Sequence, residues 1–264
     1  MNQKKNRVDF IGKIPKWVWL CISLATAVVV WYLLSINPTT KLSFPPLIEV
    51  FKSYHTMAVE RGKFWADLLS SMRSVGIGFA LGFLLGVPVA FLMAWYRPVR
   101  FILEPWIQFI RNIPPLAYVP LVVLAAGVGA KAQIIVICMA TFLTITVTVF
   151  QGVINVDETL IKAARVLGAN DTVLFIKVIF PATTPFILTA VRLGASVALT
   201  TLIAAESTGA FAGLGMRIRS FSSSYEVAPM LLYIILIGIL GITIEKIIKT
   251  LEKKLTGWQE TRDV

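Results

Sequence analysis

The stretch "DETLIKAARVLGANDTVLFIKVIFPATTP", Asp157 to Pro185, decides how the rest of the chain is read, because it interrupts a sequence that otherwise belongs in lipid. Asp157 is placed to cap a helix with Glu158 in its first turn, and Leu160, Ile161, Ala164 and Leu167 fall on one helical face. Gly168 can take the positive φ that ends such a helix, and Asn170 or Asp171 can cap a second one. The second carries Val173, Leu174, Ile176, Lys177 and Ile179 and is expected to stop at Pro181, whose ring pushes the preceding residue out of the helical region. The apolar faces of this hairpin need a surface. Lipid headgroups would serve, and so would a groove on a partner protein; the residues alone leave both open.

Outward from the hairpin the chain is apolar. Of 264 residues 57% are hydrophobic and only 15% charged, with a mean hydropathy of +0.79, which excludes an ordinary soluble domain. About six stretches are long enough to cross a hydrocarbon core of roughly 30 Å as helices: 17–36, 70–96, 101–126, 132–151, 183–206 and 229–249. The fold class expected is therefore all-α and polytopic. Lys and Arg number 25 against 14 Asp and Glu, and the excess clusters at Lys4, Lys5, Arg7, Lys13 and Lys16 and again at Lys246, Lys249, Lys253 and Lys254. Beside apolar spans this is the signature of cytoplasmic segments, not of nucleic-acid binding. It places both termini, the turn with Arg97 and Arg100, and the hairpin in the cytoplasm. Segments 37–69, 127–131 and 207–228 then lie outside. The first apolar run is as long as a full span and lacks a small-residue cleavage site, so it is read as an uncleaved helix. The domain plan is a tail at 1–16, one membrane domain at 17–258 containing the hairpin 157–181, and a tail at 259–264. Cys21 and Cys138 lie singly in apolar runs with no metal-ligand spacing.

In the second span Ser74, Gly78, Gly82, Gly86, Ala90 and Ala94 recur every fourth residue, a row that lets another helix backbone approach closely. It is a packing seam; a phosphate-binding glycine loop would need different spacing after a strand. The fifth span carries Arg192, Ser196, Thr200 and Glu206 near one face. An arginine within a span costs about 2.5–3.5 kcal/mol and avoids lipid, so this stripe either lines a translocation path, with Arg192 favouring anions, or Arg192 is held in a structural ion pair or snorkels to the cytoplasmic interface. In the third span Arg111 and Asn112 precede Ile113-Pro114-Pro115, where missing backbone donors kink or break the helix and make a gate or an interface anchor. Thr141, Thr144, Thr146 and Thr148 are expected to return their hydroxyls to backbone.

The hairpin resembles the "EAA" loop of permease subunits of bacterial ATP-binding-cassette (ABC) importers. Lys162, Ala163, Ala164, Gly168, Val178, Phe180 and Pro181 stand at that loop's positions, with Lys162 where the family carries an acid. Arg111 to Leu121 ("RNIPPLAYVPL"), Glu206 to Gly215 ("ESTGAFAGLG") and Leu251 to Trp258 ("LEKKLTGW") are similar to segments of the nitrate, taurine, aliphatic sulfonate and bicarbonate branch. The resemblance implies the type I importer permease architecture in a bacterial cytoplasmic membrane. It also implies a homodimer of this chain, two cytoplasmic ATPase subunits that hold ATP and Mg, and an external substrate-binding protein. In that scheme Lys162, Ala163, Ala164, Gly168, Ala169 and Pro181 couple to the ATPase, and the chain itself is no enzyme and binds no cofactor. In agreement, the sequence has no GxxxxGK[ST] loop and no paired carboxylates in a cleft, and the one histidine, His55, falls in an outside segment. An ATP-independent secondary transporter and a membrane-embedded enzyme are the rival classes. An importer permease for a thiamine precursor, riboflavin or another small organic molecule is the rival within the class.

Overall fold

A computed structural model describes residues 15–60 and 62–255. The tail at 1–14, Arg61, the last three residues of "LEKKLTGW" and the tail at 259–264 lie outside the described residues. The described residues form eleven α-helices: α1 (Lys16–Ile36), α2 (Leu47–His55), α3 (Phe64–Trp95), α4 (Arg97–Arg111), α5 (Pro115–Ala126), α6 (Ala130–Ile154), α7 (Glu158–Val166), α8 (Asp171–Leu174), α9 (Phe180–Gly209), α10 (Leu214–Ser223) and α11 (Val227–Leu255). Short π-helical turns extend α2 through Thr56–Glu60 and join α8 to α9 through Phe175–Ile179.

The bundle is organised around α6, which α3 and α9 flank. Along α3 the small-residue row sets the register: Ser74 donates to Gln133 Oε1 at 2.8 Å, Gly78 lies against Ile137, Gly82 against Thr141, and Gly86 against Ile145 and Thr146. Each partner down to Ile145 is the residue 59 places further along the chain, so the two helices run parallel with their four-residue ridges meshed. Ala90 is buried at the end of this row, and Ala94 only half-buried. A Cβ at Gly82 would overlap Thr141 Oγ1 and stand 3.0 Å from Cys138 O and Phe142 N, so only glycine fits. The threonines of α6 return their hydroxyls to backbone: Thr141 to Ile137 O, Thr144 to Ala140 O, Thr148 to Thr144 O, and Thr146 across to Gly86 O.

Two parallel, adjacent spans require that the chain between them cross back. That crossing is the pair α4 and α5, which bend by 102° at residues 112–114. The break is larger than a proline kink, because Pro114 caps α5 and Pro115 occupies its first turn, so no backbone hydrogen bond bridges the two helices. With α1, α3, α6, the helical run Asp171–Gly209 and α11, the described residues hold five apolar helices plus one broken span.

Pro181 does not stop the second hairpin helix. A proline here lacks the N–H that would bond to the carbonyl four residues back, and the π-turn accommodates this: Phe180 N–H reaches back five residues to Phe175 O, and the helix runs on through Pro181 in its first turn.

Candidate functional site

Three places in the bundle carry polar chemistry: the hairpin at one end, the broken span with α9 in the middle, and a buried network at the far end.

The hairpin is fixed by local bonds that its sequence dictates. Asp157 Oδ1 accepts the Thr159 N–H at 2.8 Å, and this bond holds the Asp157 carboxyl below its ordinary pKa, so the cap persists until the pH falls beneath the usual carboxylate range. At the other end Gly168 takes φ +83°, Ala169 N–H bonds to Ala164 O at 3.0 Å and Gly168 N–H to Arg165 O at 3.0 Å, the two bonds of a Schellman turn. Asn170 Oδ1 then caps α8 by accepting Val173 N–H, and Arg165 ties the helices together through Ala169 O and the Asp171 carboxylate. Ile161 and Ala164 pack inward beside Leu174 and Ile179. Leu160 and Leu167 do not share that face. They turn outward with Ala163, and Val166 and Leu167 are each 87% exposed. The reason is helix geometry: Leu160 and Leu167 lie about 100° and about 120° from Ile161 on the wheel, and the core takes only one side. Lys162 is exposed and pairs with Glu158 (Nζ to Oε2, 3.2 Å) within its own helix.

In the middle, Arg192, Ser196 and Thr200 lie along an open groove of about 360 Å³ between α9 and α11. Arg192 Nη1 is 3.8 Å from Glu252 Oε2 on α11, and Ser196 and Thr200 bond to carbonyls of their own helix. Glu206 leaves this stripe. At about 100° per residue it stands roughly 120° round the helix from Thr200, which turns it into the bundle, where it is 1% exposed. Arg111 and Asn112 are exposed at the break, Asn112 Nδ2 donating back to Gln108 O at 2.8 Å.

Glu206 belongs to the far-end network that tethers α10. The first amides of α10 receive one acceptor each: Gly213 N–H bonds to Asp67 Oδ1 (3.1 Å), Leu214 N–H to Ser71 Oγ (2.9 Å) and Gly215 N–H to Glu206 Oε2 (2.7 Å). Ser71 in turn donates to Glu206 Oε1 at 2.6 Å, and Arg217 Nε pairs with Asp67 Oδ2 at 2.6 Å. Gly213, at φ +128°, has no room for a Cβ beside the Glu206 carboxylate. Asp67, Ser71 and Arg217 were not singled out from the sequence. The available signal was that Ser71 and Asp67 stand three and seven residues before Ser74, on the same side of a helix that starts at Phe64 instead of residue 70.

Among the described residues no group of His, Cys, Asp and Glu is placed to hold a metal ion.

Comparison with known proteins adds the following. A family model described as "Binding-protein-dependent transport system inner membrane component" matches residues 79–257. The chain is 42% identical over 239 residues to "Probable ABC transporter permease protein" of Brucella abortus (strain 2308), covering 90% of this chain and 94% of that protein. It is 32% identical over 256 residues to the taurine transport system permease protein TauC of Escherichia coli (strain K12), covering 92% and 93%. Proteins named for aliphatic sulfonates in Bacillus subtilis, nitrate in Synechocystis and bicarbonate in Synechococcus elongatus are 25–27% identical over most of both chains. An inward-facing structure of the MetNI methionine ABC transporter superposes with a TM-score of 0.66 at 19% identity, over 74% of this chain and 97% of that one, a likeness of fold.

Proposed function

Since the chain belongs to the binding-protein-dependent inner membrane components, the permeases of ABC importers with the type I fold, we propose that it forms, as a homodimer, the path by which a small anion enters the cell under the drive of a separate ATPase. The observation that carries this reading is the hairpin. Its two helices are locked to each other and to the bundle, yet it presents Leu160, Ala163, Val166 and Leu167 outward. A rigid knob with an apolar tip at the end of an unbroken helical run suits the transmission of a push, in the helix-in-groove manner. Two ATPase subunits holding ATP and Mg seat on these knobs at the cytoplasmic face, where both termini also lie, and Lys162, already paired with Glu158, sits beside the contact. An external binding protein delivers the solute to the far end, to segments 37–69 and 207–228. Arg111 and Asn112 at the break and Arg192, Ser196 and Thr200 in the α9–α11 groove line the path, and Glu206 has a structural role. The relatives named for taurine, sulfonates, nitrate and bicarbonate, together with the arginines within the spans, support an anionic solute such as a sulfonate or nitrate.

The test is uptake by the purified assembly in proteoliposomes, with a radiolabelled alkanesulfonate and nitrate supplied through the cognate binding protein. Uptake of one of them that requires enclosed or added ATP and stops without the binding protein is expected. ATP-independent uptake would return the chain to the secondary transporters, and ATP-driven uptake of thiamine precursors or riboflavin alone would overturn the anion assignment.

A further inference from the structure

Helix α4 has three faces. At about 100° per residue, Val99, Leu103, Ile107 and Ile110 fall together and pack into the bundle. Phe101, Ile102, Trp106 and Phe109 fall on the outer side and are exposed. Between these faces runs a narrow polar strip, Arg97, Arg100, Glu104, Gln108 and Arg111, confined to about 80° of the wheel. Arg97, Gln108 and Arg111 are exposed; Arg100 is braced by Glu104 (2.8 Å) and lies 5.1 Å from the centre of the Phe150 ring.

The depth of this strip follows from the packing. Helix α5 packs in the far half of the bundle, Val119 with Val136 and Ala205, and Val123 against Gly209. Helix α4 packs in the hairpin half, with Arg100 over Phe150 near the end of α6. The break between them therefore falls near mid-depth, and the strip climbs from the hairpin-side surface at Arg97 to the interior at Arg111. Polar side chains at that depth do not face lipid, and the outer apolar face of α4 is the side suited to lipid.

We propose that the polar strip of α4 is the exit track for the imported anion, a cationic rail that receives it at Arg111 and leads it past Gln108 and the braced Arg100–Glu104 pair to Arg97 at the cytoplasmic mouth. Three arginines against one glutamate leave the rail with excess positive charge, which in a confined path concentrates small anions and repels cations. The proposal rests on the reading of the chain as an import path, and its test requires neither ATP nor the natural solute, so the two fail separately.

The test is thiol accessibility in inverted membrane vesicles carrying the assembled protein with Cys21→Ser, Cys138→Ser and Gln108→Cys. The probes are 2-sulfonatoethyl and 2-trimethylammonioethyl methanethiosulfonate, each rate divided by that reagent's rate with free cysteine. Expected is a preference of at least threefold for the sulfonate reagent. Phe109→Cys in the same background is expected to react at least tenfold more slowly with both. Residues 108 and 111 are neighbours on the helix, so Arg111→Gln should lower the sulfonate preference by about three- to tenfold, and Arg111→Lys should retain it. Because the readout is a ratio within one sample, it does not depend on how much protein is assembled. Labelling at 108 no faster than at 109, or a preference unmoved by Arg111→Gln, would overturn the proposal.

Discussion

A carboxylate at position 206, out of reach of water, has to be satisfied by the chain itself, and the two groups that satisfy it come from α3 and α10. Removing it with Glu206→Ala orphans the Gly215 N–H and leaves the Ser71 hydroxyl without its acceptor. A buried unsatisfied group costs about 1–3 kcal/mol, so the substitution should cost on the order of 2–4 kcal/mol, read as a lower midpoint of thermal unfolding in detergent. Glu226→Ala, at an exposed site, should stay within about 0.5 kcal/mol of the parent. Equal midpoints for the two variants would contradict the tethering of α10. Residues of this kind are the least legible in a sequence. The wheel sets Glu206 about 40° from Arg192 but about 120° from Thr200, and it cannot show that the side chain's partner is Ser71, 135 residues earlier. Arg192 is similar: the alternatives of path and ion pair were both readable, and Glu252 is the partner found.

At the level of helices, the four-residue row in α3 makes a sharp prediction. Gly82→Ala presses a methyl against Thr141 and the α6 backbone, whereas Gly76→Ala meets nothing within 4 Å. Overpacking of a meshed interface costs about 1–3 kcal/mol, so Gly82→Ala should lower the unfolding midpoint by several degrees while Gly76→Ala leaves it unchanged or raises it. This seam was legible because a period of four small residues has few other uses in a long apolar helix. The two short hairpin helices were legible because Asp157, Gly168 and Asn170 are capping residues acting on their immediate neighbours. Other local rules carried less far. Pro181 blocks a regular α-helical bond, but the wider π-turn next to it lets the helix continue. In α4 the apolar residues on two faces conceal the polar strip from any average over the span, so Arg97 and Arg100 stood out only as a charged turn and Arg111 only as the residue before the break.

For the whole molecule, the parallel run of α3 and α6 forces the intervening chain to cross back, and the 102° break leaves Arg111 and Asn112 exposed partway along that crossing. One helical run, Asp171 to Gly209, joins the hairpin to the network that holds α10 at the far end. The most direct measurement is to tag the C-terminus, isolate the chain from its native membrane in mild detergent, and identify its companions by mass spectrometry, for the parent and for Val166→Asp with Leu167→Asp. Both residues are 87% exposed, so the double variant should fold and insert as the parent does. The parent is expected to bring down an ATPase carrying a phosphate-binding loop, and the variant to lose at least nine-tenths of it. A parent that purifies alone, or a variant that retains its ATPase in full, would contradict the account of the hairpin as the seat of the motor.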